Sequence, residues 1–143
     1  MNLKQAHTTL ICETRGQGFY DVTASIARWL VEVGADDGVC TMLIRHTSAS
    51  LTIQENADPD VLADLATALD RLAPRNHPWR HTMEGPDDMP AHIRSMLTGA
   101  TLSIPVCSGG MMLGTWQGIY VAEHHDHSHR RELACAFQGT LRS

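Results

Sequence analysis

Apolar side chains recur along this chain in two rhythms. From Gln5 to Thr14, threonines and aliphatic residues follow one another as in an extended segment, and Arg15-Gly16-Gln17-Gly18 interrupts it. Between Tyr20 and Val33 the apolar positions Val22, Ile26, Leu30 and Val33 fall three or four residues apart. That spacing predicts a helix, with Asp21 as its cap and Gly34 just past its end. Gly38 opens a strand over Val39–Arg45, and Leu51–Gln54 alternates as a second, short strand. Asp58 and Pro59 then precede an apolar stripe at Val61, Leu62, Leu65 and Leu69. This is a helix with an acidic cap and proline in its first turn.

Pro74 and Pro78 end that helix and bracket a loop. Residues 74–90 are a long polar connection carrying His77 and His81, and loops of this length often serve function. Asp87 or Asp88 caps a short helix over Met89–Leu97, closed by Gly99. Strands follow over Thr101–Val106, Ile119–Glu123 and Glu132–Gln138, with Ser108-Gly109-Gly110 as a turn. This order is not a regular βαβ alternation. It predicts an α+β fold, a single domain over residues 1–143, with an antiparallel or mixed sheet and helices packed on one side.

Composition narrows the function classes. The net charge of −5 argues against nucleic acid or an anionic membrane as partner, because both need basic surfaces. Met1 to Gln5 offers no apolar stretch for a signal peptide, and no run of about 18 apolar residues exists to span a membrane. Cys12, Cys40, Cys107 and Cys135 are widely spaced, without a CxxC pair, and read as reduced, mostly buried thiols of a cytoplasmic protein.

Histidine is the candidate chemistry. The chain has nine, and four of the six residues from His124 to His129 are histidine. Such a tract suggests metal binding or proton transfer. If extended geometry persists past Glu123, then Glu123, His125 and His127 face one way and His124 and Asp126 the other. The plainer reading of His125 and His129 is a solvated hairpin tip. His46 ends a strand just before the hydroxyl-rich Thr47-Ser48-Ala49-Ser50, a place where imidazole can stand beside an anion held by backbone N–H groups. Asp88 and His92 share a helix face at i, i+4, which suits a carboxylate orienting a metal-binding imidazole, or a surface ion pair. Glu55 and Asn56 precede the best helix and are free to serve a site, whereas Asp58 reads as its cap. Gly114-Thr115-Trp116-Gln117-Gly118 suggests a tight backbone path with a wedged aromatic.

Taken together, these stretches resemble the YjbQ-like family, also described as secondary thiamine-phosphate synthases. The resemblance rests on His46-Thr47-Ser48-Ala49-Ser50-Leu51-Thr52, Glu55-Asn56 through Asp58-Pro59, and Gly85 through Asp87-Asp88-Met89-Pro90-Ala91-His92-Ile93. Gly114 through Ile119, Glu123-His124, Arg130-Arg131 and Phe137-Gln138-Gly139 continue it in order over nearly the whole chain. It implies a sandwich-like α+β domain assembled as a trimer, with a histidine-lined pocket near subunit contacts. Carried over by position, the family pattern falls on His46, Glu55, Asn56, His81, His92, Glu123 and one of the two arginines. The associated activity joins a pyrimidine methyl diphosphate to a thiazole phosphate and releases pyrophosphate. Such a step needs a leaving diphosphate neutralised by a metal or by arginines.

The expectation is therefore a cytoplasmic, homotrimeric enzyme acting on small phosphorylated molecules. His46, His81 and His92 bind a divalent ion, zinc or magnesium. Glu55, Asn56 and Glu123 are the catalytic candidates, and Ser48, Ser50 and Arg131 hold a phosphate. The alternatives are a non-catalytic protein that binds a metal or phosphorylated metabolite, and an assembly role in which the histidines are incidental.

Overall fold

The structure is a computed structural model that describes residues 2–142 of the single domain expected over 1–143; Met1 and Ser143 lie outside the described residues. The described residues form β1 (Lys4–Arg15), β2 (Gly18–Asp21), α1 (Thr23–Glu32), β3 (Ala35–Ile44), β4 (Ala49–Glu55) and α2 (Pro59–Leu72). Then come α3 (Asp88–Thr98), β5 (Thr101–Cys107), β6 (Gly110–Met111), β7 (Gln117–Glu123) and β8 (Ser128–Leu141). The strands build two sheets, ordered β1-β8-β3-β5-β6 and β2-β7-β4. Every pairing is antiparallel. The α+β class thus holds, and of the antiparallel and mixed alternatives the sheets are antiparallel.

Alternation along the strands explains the two layers. On β8, Arg131, Leu133, Cys135 and Phe137 are buried while Arg130 and Gln138 are exposed. On β3 the buried set is Ala35, Cys40, Met42 and Ile44. These residues meet Leu51, Ile119 and Val121 of the smaller sheet, and Ile26 and Leu30 of α1, in one core. Gly38 and Gly139 are paired across β3 and β8. A Cβ on Gly139 would overlap the Asp37 carbonyl oxygen, so glycine is required for the close backbone approach there.

Of the helices, α1 buries its apolar positions Ile26, Trp29 and Leu30, whereas the stripe of α2 is only half-buried. Asp58 Oδ1 accepts from Asp60 N–H and caps α2, as its sequence predicts. α3 packs over β4, its Ser95 hydroxyl donating to the Ala49 carbonyl. The helix predicted over Tyr20–Val33 begins only at Thr23, because Gly18–Asp21 is taken by pairing with β7. Thr23 Oγ1 accepts from Ile119 N–H at 2.8 Å and fixes α1 against that strand. Asp21 serves Thr23 N–H rather than the cap, which is Val22. Trp116 is not wedged: it is 64% exposed, and the surrounding turn is held by Gln117 Oε1 accepting from Gly114 N–H.

Candidate functional site

Among the described residues, His81, Glu84, Asp88 and His92 cluster where the loop before α3 meets the β7–β8 turn. α3 opens with Asp88 in its first turn, a favourable place for a carboxylate. One helical turn later His92 Nε2 lies 3.1 Å from Asp88 Oδ2, which is the i, i+4 relation read from the sequence. His81, from the loop, brings its Nε2 to 2.6 Å from the same oxygen. Glu84 Oε2 stands 3.6 Å from that His81 nitrogen. One ligand atom from each of His81, Glu84, Asp88 and His92 lies within 4.8 Å of the others. The second oxygen, Asp88 Oδ1, faces His125 Nε2 at 2.8 Å.

Asp88 is therefore the hub. Burial pushes its pKa up, but hydrogen bonds with His81, Glu84 and His125 outweigh this and hold it at about 2. The Asp88 hydrogen bond in turn raises the pKa of His81. Two imidazoles and two carboxylates form a mixed nitrogen and oxygen donor set. This fits a divalent transition ion such as zinc better than magnesium, which prefers oxygen and retained water.

The loop that carries His81 is ordered by its own contacts. Trp79 Nε1 donates to the Pro74 carbonyl, and the His77 ring lies 4.2 Å from the Trp79 ring. Arg75 forms a two-pronged pair with Asp126 in the β7–β8 turn. Asp126 N–H donates to Asp87 Oδ2 at 3.1 Å. Arg75, Asn76 and Pro74 line an open cleft of 420 Å³ with Gln17, Asp70 and Arg94. Arg94 is buried; its Nη2 donates to Asp70 Oδ1, and its Nε has no hydrogen-bond partner. Arg94 and Gln17 also line a smaller cavity of 140 Å³, beside His124.

Other expected site residues are placed elsewhere or are already engaged. His46 does not join His81 and His92; its Nε2 accepts from Glu132 N–H at 2.8 Å, just past the end of β3 and beside β8. Burial first, then the nearby Arg131 charge, lowers its pKa. Glu123 points between the sheets, with its side chain fully buried. It accepts from Thr14 Oγ1, Arg131 Nε and Nη2, and His125 N–H. Burial raises its pKa, but these donors, Arg131 foremost, leave it lowered overall. A carboxylate so fully engaged is a poor general base. Arg131 is spent on Glu123 and on the Ser48 carbonyl and hydroxyl. Ser50 is fully buried against Thr98 and His124. None of these three offers a free group to a phosphate.

The trio Glu55, Asn56 and Glu123 is also split. Glu55 pairs with Gln117 and Ala49 with Glu123, so β4 separates the two ends by about 20 Å. Glu55 Oε2 accepts from Asp58 N–H, and Asn56 N–H donates to the Trp116 carbonyl.

The β7–β8 turn departs from the sequence reading. β7 stops at Glu123, so extended alternation does not continue. His124 turns to the outer face of the small sheet, where its Nε2 meets Ser50 Oγ at 2.8 Å. Burial, aided by the Arg94 charge, lowers its pKa to about 4, so it is neutral at pH 7. His125 is not a solvated tip but a buried partner of Asp88. The spacing of His81, Asp88 and His92 was the readable signal. His125 entered unseen because the loop that covers it lies some 40 residues earlier in the chain.

Comparison with known proteins bears on the family and the fold. A family model described as UPF0047 protein YjbQ-like matches residues 7–140. A UPF0047 protein of Synechocystis sp. is 44% identical over 139 residues, covering 96% of this chain and 95% of that one. The UPF0047 protein YjbQ of Escherichia coli O157:H7 is 40% identical over 132 residues, covering 92% and 96%. Among solved structures, a conserved hypothetical protein of Thermus thermophilus has a TM-score of 0.79 at 32% identity, covering 94% and 99%. A YbjQ-like protein of unknown function from Sulfolobus solfataricus reaches a TM-score of 0.89 at 21% identity, covering 97% and 100%, a likeness of fold alone. With the family model spanning nearly all of its length and relatives at this identity, the chain belongs to the YjbQ-like UPF0047 family.

Proposed function

We propose that the protein is a divalent-metal-dependent enzyme acting on small phosphorylated molecules. The observation that carries this is the convergence of His81, Glu84, Asp88 and His92; a separate cleft lined by Arg75 and Arg94 is linked to it through Asp126 and Asp87. When bound, the ion supplies positive charge against a leaving diphosphate. Asp88 positions His81 and His92 and carries the negative charge that favours a cation. Arg75 and Arg94 line the cleft, each paired with a carboxylate (Asp126 and Asp70), so a phosphate held there takes the place of those carboxylates, as it would have to take the place of Glu123 at the buried Arg131. Within that class we favour the thiamine-phosphate synthase type of transfer, which the family resemblance supports.

We further propose a homotrimer. The outer face of the larger sheet carries Thr9, Thr41, Leu43, Thr101, Ala134 and Ala136 around a shallow depression of 410 Å³. These are uncharged threonine, alanine and leucine side chains, of a kind suited to burial between copies, and His7 lines the depression with them. We place the protein in the cytoplasm. The four described cysteines are unpaired, as a reducing compartment requires. Among the described residues no helix is long and apolar enough to cross a membrane.

The test is turnover. Chelator-stripped protein is reloaded separately with zinc, manganese and magnesium. It is supplied with a pyrimidine methyl diphosphate and a thiazole phosphate, and then with a panel of phosphorylated metabolites. Metal-dependent release of phosphate or pyrophosphate, lost in Asp88→Asn, is the expected result. Tight binding without any product would replace this reading with the non-catalytic one.

A further inference from the structure

The Asp88 cluster accounts for one side of the His125 ring and leaves the other unexplained. His125 Nε2 donates to Asp88 Oδ1 at 2.8 Å. With Nε2 donating, the nitrogen open to a further partner is Nδ1. That nitrogen is buried and has no hydrogen-bond partner, in a side chain only 10% exposed. The charged group facing it is Asp87 Oδ2, 3.4 Å away. A buried ring nitrogen without a partner, facing a carboxylate, is unfavourable unless a proton or a metal cation lies between them.

Two more imidazoles stand against the same ring. The His127 and His129 centroids lie 5.3 Å and 5.0 Å from that of His125, and 4.6 Å from each other. One ligand atom from each of the three lies within 4.8 Å of the other two. His129 Nδ1 donates to the His127 carbonyl at 3.0 Å, which leaves His129 Nε2 with the lone pair. Two of the three rings thus have one nitrogen tied to an oxygen acceptor and the other left bare. That is how ligating histidines are usually oriented by their outer partners. An ion with bonds of about 2.1 Å holds tetrahedral ligands about 3.4 Å apart. The gap between His125 Nδ1 and Asp87 Oδ2 is of that size.

The turn is held in place before any ion arrives. Asp126 is gripped by Arg75 and by Asp87. Its carbonyl presses on Gly16, where a Cβ would come within 2.8 Å. Other charged groups near the cluster are Glu123, whose Oε1 lies 3.7 Å from His129 Nδ1, and Asp88.

We propose that the β7–β8 turn is a second metal site, built by His125 Nδ1, His127 and His129 Nε2 with Asp87 alongside. Its ligand class is a nitrogen-preferring divalent transition ion such as zinc, not magnesium or calcium. The proposal stands independently of the activity proposed above, although Asp88 joins the two sites through His125.

The experiment uses the untagged, full-length, chelator-stripped chain, titrated with zinc by calorimetry and checked by elemental analysis after gel filtration. Two zinc ions per chain are expected, and magnesium is expected to give no heat at the second site. His127→Asn/His129→Asn should lose one ion, and so should His81→Asn/His92→Asn. Should the first double variant fail to fold, His127→Asn alone changes an exposed side chain and should weaken one ion at least tenfold. If His127→Asn/His129→Asn, or that single variant, binds zinc as the wild type does, the proposal is overturned. A single wild-type ion lost with His127 and His129 but kept without His81 and His92 would support this site and refute the other. Cobalt loading adds a second readout, since a tetrahedral visible band absent from the His127→Asn/His129→Asn variant is the expected signature.

Discussion

Replacing Arg131 by methionine separates a structural role for this arginine from a ligand-binding one. Methionine keeps much of the volume and removes the charge. It leaves Glu123 fully buried, with Thr14 Oγ1 and His125 N–H as its remaining donors and no counter-charge. Removing one partner of a buried ion pair costs about 3–5 kcal/mol. For a chain of this length that corresponds to roughly 10 °C in melting temperature. The double change Arg131→Met/Glu123→Met removes the stranded charge. Thr14 can still turn its hydroxyl to the His129 carbonyl, 3.3 Å away. His125 N–H is the group left without an acceptor, a cost of about 1–3 kcal/mol. The double variant should therefore be more stable than Arg131→Met alone, and the two single costs should exceed the double by at least about 2 kcal/mol. Urea denaturation at pH 7 of all four proteins measures this. An Arg131→Met cost under about 1 kcal/mol, or strictly additive single changes, would refute the reasoning. A variant that kept its stability but lost phosphate affinity would return Arg131 to a ligand.

Further outcomes are expected. His124 keeps its proton off down to about pH 4 when folded, against 6.5 for the free side chain, so the unfolded chain takes up that proton first. Stability should fall between about pH 6.5 and pH 4 by about 3 kcal/mol from this residue, and His124→Asn should flatten that part of the pH–stability curve. An unchanged curve in the variant would remove the attribution. Asp58→Ala should cost about 1 kcal/mol by urea unfolding, through loss of the cap on Asp60 N–H. Gly139→Ala should cost about 3 kcal/mol or more by thermal melting, because its Cβ would meet backbone, which cannot rotate away. Light scattering should give three times 15.7 kDa for the wild type and a smaller particle for Ala134→Arg; an unshifted mass would exclude that sheet face as the interface.

The fold was legible wherever a local signal decided the outcome. The α2 cap, the glycine ending α3 and the alternation on β8 all read directly, because each depends on neighbours within a few residues. The start of α1 did not, because Gly18–Asp21 pairs with β7 about a hundred residues away, and that pairing overrode the helical spacing. The site divides in the same way. Asp88 and His92 were visible as one helical turn, and His81 lay in the loop singled out for its length. Glu123, Arg131 and Ser50 carried the right chemistry, but the sheets enclose the first two, α3 and His124 cover the third, and the fold uses all of them for cohesion. His125 looked like a tip residue because nothing adjacent in sequence covers it; Asp87 and Asp88 do so across the fold.

The central claim, a metal centre organised by Asp88, is tested most directly by crystals soaked in zinc and measured on both sides of the zinc absorption edge. The account predicts an anomalous peak within about 2.3 Å of His81 Nε2, His92 Nε2 and an Asp88 oxygen. Saturating zinc with no anomalous density among these three side chains would contradict it.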